Sequence, residues 1–180
     1  QSVSYAVPSS RYCLNSAISY CRIYLHLSPP PFLHSGWCFA IVLQSYSANL
    51  FMDVLMLALH SCPAGTVLVC EIYHLFEHSG IYLGEGLIAE LAGNGLVRAI
   101  SPERFLHNRS GEQLFALCDS AGAPIGNSAG SDRAAAQLFS YQSYDLLQHN
   151  CHQFVVRCLT GQRVQVTSFF DLRTELAQFY

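Results

Sequence analysis

Cys151 follows Asn150 and opens the run Cys151-His152-Gln153-Phe154-Val155-Val156-Arg157-Cys158-Leu159-Thr160-Gly161. Asn150 is a good N-cap, Phe154, Val155, Cys158 and Leu159 recur at helical spacing, and Gly161 is a C-terminal stop. The run therefore predicts a short helix with Cys151 in its first turn, where the positive end of the helix dipole favours a thiolate. A lone cysteine in such a helix is more often a small core residue. Nucleophilic chemistry needs a base from elsewhere in the chain.

Upstream, His78-Ser79-Gly80-Ile81-Tyr82-Leu83 and Leu87-Ile88-Ala89-Glu90-Leu91 read as two strands joined by the tight turn Gly84-Glu85-Gly86. Antiparallel pairing about Glu85 makes His78 and Glu90 cross-strand neighbours. A carboxylate beside an imidazole orients it and stabilises its charged form, which gives a base and its partner for a thiol nucleophile. Taken singly, His78 is a satisfied strand histidine and Glu90 part of a solvated face; only the combination points to catalysis.

These two stretches resemble the lecithin retinol acyltransferase-like (LRAT domain) family, a circularly permuted branch of the NlpC-type papain-like cysteine enzymes. The resemblance rests on His78-Ser79-Gly80-Ile81-Tyr82-Leu83-Gly84-Glu85-Gly86 and, far downstream, Tyr144-Asp145-Leu146-Leu147-Gln148-His149-Asn150-Cys151-His152-Gln153-Phe154, with Cys158-Leu159-Thr160-Gly161 as the continuation. It spans about residues 62 to 161. It implies Cys151 as nucleophile, His78 as general base and Glu90, twelve positions on, as the orienting third residue. Many members carry a second histidine at that third position. The usual Asn-Cys-Glu-His-Phe appears here as Asn-Cys-His-Gln-Phe, and His152 and Gln153 are expected to face the outside or the rim of the site.

The resemblance also implies an α+β, circularly permuted papain-like fold, with an antiparallel sheet packed on the helix that bears the cysteine. Its chemistry is thiol-dependent acyl transfer or hydrolysis through a Cys151 thioester, on a lipid or other acyl ester, with no cofactor and no metal. Peripheral contact with a membrane would suit such a substrate. Three alternatives stand beside it: a cysteine peptidase or amidase of the peptidoglycan or isopeptide type, an inactive binding module on the same scaffold, and a zinc hydrolase drawing on His74, His78, His149, Cys151 and His152. A lipid substrate calls for an apolar slot beside Cys151, a peptide for polar pockets and free strand edges.

The elements that would position these groups are legible in part. Thr66 to Ile72 reads as a buried strand after Pro63-Ala64-Gly65, Gly93-Asn94-Gly95 as a turn before a strand over Leu96 to Ile100, and Ser101-Pro102 as a helix start. Ala121 to Ser131 reads as a loop and Asp132 to Tyr141 as a helix.

The chain has 180 residues, 51% of them hydrophobic, and a net charge of −3. That allows one domain with a full core and leaves no basic footprint for nucleic acid. Its eight cysteines are scattered without a Cys-x-x-Cys pair, which points to a reducing, cytoplasmic compartment. All twelve acidic residues lie from Asp53 onward. Residues 1–51, with only Arg11 and Arg22 charged and a Pro29-Pro30-Pro31 break, are read as an atypical segment, disordered or outside the native domain; 52–180 form the enzyme domain, starting at Met52. The apolar runs in this region are interrupted too often for a spanning helix of roughly 20 residues.

Overall fold

The computed structural model describes residues 2–6, 18–26, 55–56, 59–73, 75–109, 113–119 and 121–180. The chain is α+β. Its strands are β1 (Ser2–Ala6), β2 (Ile18–His26), β3 (Val67–Ile72), β4 (Phe76–Gly84), β5 (Leu87–Leu91), β6 (Val97–Ile100) and β7 (Leu114–Asp119), and its helices α1 (Pro102–Leu106), α2 (Ser128–Ala135), α3 (Cys151–Thr160) and α4 (Phe169–Phe179). The strands form one sheet in the order β1-β2-β7-β3-β4-β5-β6, and every pairing is antiparallel. Of residues 1–51, only β1 and β2 are described; the boundary expected at Met52 lies outside the described residues.

Side-chain alternation gives the sheet two buried faces. Val67, Val69, Ile81, Ala89, Leu91, Phe115 and Leu117 point to one layer, where they meet Phe154, Val155, Val156, Cys158 and Leu159 of α3 and Phe169, Leu172 and Leu176 of α4. Leu68, Cys70, Tyr82, Ile88, Ala116 and Cys118 point to the other and meet Phe105 of α1 with Leu55 and Leu59. Each large side chain so buried contributes roughly 1.5–3 kcal/mol. The sheet is thus a wall with α3 on one side and α1 on the other.

The β4–β5 hairpin turns on Glu85 and Gly86, both at positive φ (50° and 71°), as in the type I′ turns that suit strand twist. Its pairs are Ile81↔Ala89 and Tyr82↔Ile88, with an irregularity before Gly84↔Leu87. These pairs centre the hairpin on Glu85, and that register leaves His78 and Glu90 diagonal rather than directly opposite. They lie beyond the last of these pairs, at the end of the ladder.

Helix α2 also departs from expectation, running over Ser128–Ala135 rather than from Asp132 to Tyr141. Asn127 caps it, its side chain accepting from Gly130 N at 2.7 Å. The apparent loop composition around Gly130 has a packing cause. A Cβ there would lie 2.8 Å from Leu159 Cδ2, so the glycine lets α2 approach α3. Phe139, at φ 65°, lies past the helix end.

Candidate active site

Asn150 holds the start of α3 from three directions. Its side-chain oxygen accepts from Gln153 N at 2.9 Å, and its amide donates to Leu146 O at 2.8 Å and Val166 O at 2.7 Å. At the far end Gly161 adopts φ 75° and donates its N–H to Arg157 O. The cap fixes Cys151 as the first helical residue, with its thiol buried.

His78 stands on β4, also buried, with Nε2 2.6 Å from Glu90 Oε2. Its ring centroid is 5.1 Å from that of Phe105. With Nε2 committed to Glu90, Nδ1 is the nitrogen left for another partner, and the Cys151 thiol lies near enough for its charge to act on this histidine. Glu90 is fully buried and collects three cationic partners. Besides His78 it accepts from Arg98 Nε at 2.8 Å and from Arg109 Nη2 at 3.0 Å. Arg109 in turn donates to Phe105 O and lies over the Phe105 ring.

These contacts set the charges. Burial works to raise the Glu90 carboxyl, but the hydrogen bond and charge of His78, then Arg109 and Arg98, bring it down to about 2. Burial pushes His78 down, and the Cys151 thiolate with the Cys151 and Glu90 hydrogen bonds carries it above the ordinary histidine value. For Cys151 burial works upward; the charges of His152 and His78 and their hydrogen bonds outweigh it and hold the thiol well below its usual value. Both shifts favour the thiolate form of Cys151 and the charged form of His78. At Cys70 and Cys158 burial outweighs the nearby Arg109 and the Arg157 and Gln137 groups respectively and pushes the thiols up to about 12 and about 11.

The structure gathers Cys151, His78 and Glu90 in one buried neighbourhood, with His78 and Glu90 in direct contact. It also adds residues that the sequence reading did not use. His152, expected at the rim, is buried; its Nδ1 lies 2.8 Å from Ser79 Oγ and 3.9 Å from Cys151 Sγ, and its ring is 6.2 Å from Phe169. The signal was present: His152, Val155, Val156 and Leu159 form an i, i+3, i+4, i+7 stripe, the face that α3 buries. Gln153, which shared that expectation, is half-buried. Arg98 is directly opposite Glu90 on β6, a pairing that the Gly93-Asn94-Gly95 turn could have suggested.

Tyr144 is the third addition. Its half-buried phenol neighbours Cys151, and burial together with the thiolate charge pushes it up to about 12, so it stays protonated. A cavity of about 370 Å³ lies behind the start of α3, bounded by Asn150, Gln142, Gln148, Gln153, Arg157 and Arg163 among others. Cys151 is not among its lining residues, and its walls mix polar side chains with Leu91, Phe154 and Val164.

Among the described residues no group of three or more His, Cys, Asp or Glu side chains is arranged to hold a metal ion; His74, invoked for a zinc site, lies outside them. No helix among them is long and apolar enough to cross a membrane. No protein-family model, curated protein or solved structure matches the chain.

Proposed function

We propose that this chain is a cysteine-dependent acyltransferase or hydrolase of the lecithin retinol acyltransferase-like kind, on a circularly permuted papain-like scaffold. The observation that carries the reading is a buried thiol held well below its usual pKa beside His78, which is itself held by Glu90 at 2.6 Å. Structural cysteines have no need of such surroundings.

In this reading the Cys151 thiolate attacks an acyl carbonyl. Negative charge develops on the carbonyl oxygen beside the Cys151 backbone N–H and the Tyr144 phenol, the two donors at the helix start. The bond to the leaving group breaks as His78 gives that group its proton, and a thioester remains on Cys151. Water, or a hydroxyl or amine acceptor, then gives a proton back to His78 and attacks the thioester, releasing the thiolate and the acylated product.

An acyl ester with an apolar chain is favoured by the two approaches to the site. Tyr73, Leu75 and Phe76 are exposed just before His78 in the chain, and Leu146 and Leu147 just before Cys151. Peripheral contact with a cytoplasmic membrane surface fits the same residues. One observation favours a second reading, cleavage of an amide: the cavity beside the helix start presents glutamine amides and arginines, which suit a peptide-like substrate.

Intact mass spectrometry after incubation with a panel of activated esters and amides tests both. A hydroxylamine-labile adduct on Cys151 is expected, lost in Cys151→Ala and slowed in His78→Ala, and the faster class in the panel identifies the bond. The absence of an adduct with any member would leave an inactive binding module.

A further inference from the structure

Two consecutive residues of β4 serve the thiol through different partners. His78 is fixed by an ionised carboxylate, whereas the second imidazole, His152, is fixed by the hydroxyl of Ser79 at 2.8 Å. A hydroxyl both donates and accepts. When His152 Nδ1 is unprotonated, Ser79 donates to it; when Nδ1 carries a proton, it donates to Ser79 Oγ and faces Cys151 Sγ at 3.9 Å. Ser79 thus keeps the ring in one place in either protonation state, while Glu90 favours the charged form of His78 alone.

We propose that His152, positioned by Ser79, is a second catalytic imidazole for Cys151, able to sustain the thiolate when His78 has given up its proton. The proposal rests on Cys151 being the nucleophile. In the cycle above, His78 loses its proton to the leaving group during acylation, and the departing thiolate of the second step then needs a cationic neighbour. The acceptor's proton, taken first by His152 Nδ1 in place of His78, supplies one, and passes through solvent to His78 once the product is free, which restores the resting pair. The titratable and charged groups around the sulfur are His78 of β4, Tyr144 before α3, and, further out, Cys70 of β3, Glu90 of β5 and Arg109 after α1. Glu90 carries one negative charge against His78, Arg98 and Arg109, so the charge that a His152 imidazolium faces in its favour is that of the Cys151 thiolate itself.

Alkylation by iodoacetamide reads the thiolate without any acyl substrate. The full chain is labelled at pH 6, Cys151 is mapped by mass spectrometry, and the rate is compared among wild type, His78→Gln, His152→Asn and the double variant, each checked by circular dichroism. Gln keeps a polar atom for Glu90, and Asn keeps one for Ser79. Each single variant is expected to be slower by roughly tenfold for each unit the thiol rises, and the double variant to react as an ordinary thiol, slower than either. Ser79→Ala, which frees the ring without removing it, is expected to slow alkylation severalfold. An unchanged rate in His152→Asn, or a His78→Gln variant as slow as the double, overturns the proposal. Failure of the acyl-transfer reading is distinguishable, since it leaves this alkylation pattern intact while no acyl adduct forms on the wild type.

Discussion

His78 Nε2 lies 2.6 Å from Glu90 Oε2, although the strand register leaves the two residues diagonal to one another. Long side chains bridge a diagonal that shorter ones would not. The hydrogen bond fixes which nitrogen of the imidazole is left for the thiol, and places a full negative charge behind it.

In the proposed reaction, that charge shapes the pH dependence. The active form carries a Cys151 thiolate and a protonated His78, so kcat/KM rises as the thiol ionises, below its ordinary range, and falls as His78 loses its proton, above its ordinary range. In Glu90→Gln one support of the charged imidazole is gone while Arg98 and Arg109 remain. The alkaline limb is expected to move down by about one unit or more. A pH–rate profile of the two proteins checks this; coincident alkaline limbs would remove Glu90 from the site.

The same carboxylate contributes to stability in a defined window. Its pKa falls from 4.5 in the unfolded chain to about 2 in the fold, so between these values the unfolded state binds more protons and stability rises with pH. The contribution is complete above about pH 4.5 and is lost as pH falls through about 2. Glu90→Gln is expected to cost about 3–5 kcal/mol at neutral pH, because it leaves buried guanidinium groups without their anion. Urea unfolding should show the variant and wild type converging at low pH.

Tyr144→Phe removes the hydroxyl that neighbours the Cys151 thiol from before α3 and could donate to it. Hydrogen bonds to charged groups are worth about 1.5–3 kcal/mol, so acylation is expected to slow by roughly ten- to a hundredfold. The thiol should also ionise at higher pH than in wild type. Single-turnover acylation, followed beside an alkylation profile, separates the two effects; an unchanged rate would place Tyr144 outside the chemistry.

Gly80→Ala probes the scaffold. A Cβ there would lie 2.8 Å from both Ala89 O and Ile88 Cγ2 and 2.9 Å from the Phe105 ring, so β4 would be wedged from β5 and α1 next to the His78–Glu90 contact. A loss of about 1–3 kcal/mol is expected, together with slower acylation. Thermal unfolding and the adduct assay measure these separately.

The parts of the site legible in the sequence are those set by local chemistry. Asn150 and Gly161 mark the ends of α3, Ser101-Pro102 the start of α1 and Gly84 to Gly86 the turn of the hairpin, because caps and turns are written within a few residues. His152 was misplaced because the family's pattern was followed where the helical stripe of Val155, Val156 and Leu159 gave the better guide. Helix α2 was displaced because Gly130 looks like a loop residue until Leu159 is seen against it. Arg109, distant in sequence and irregular in setting, becomes a partner of Glu90 only through tertiary packing.

The alternation of β4 has one more consequence. His78 and Ser79 are adjacent, so a slip of the strand by one residue would exchange the imidazole for the hydroxyl and, with the same movement, turn Ile81 out of the α3 layer. Chains that have settled into a wrong register therefore hold no reactive thiolate. On the proposed function, the reactivity of Cys151 reports on the register of β4, and titrating it counts the molecules in which that strand is correctly paired.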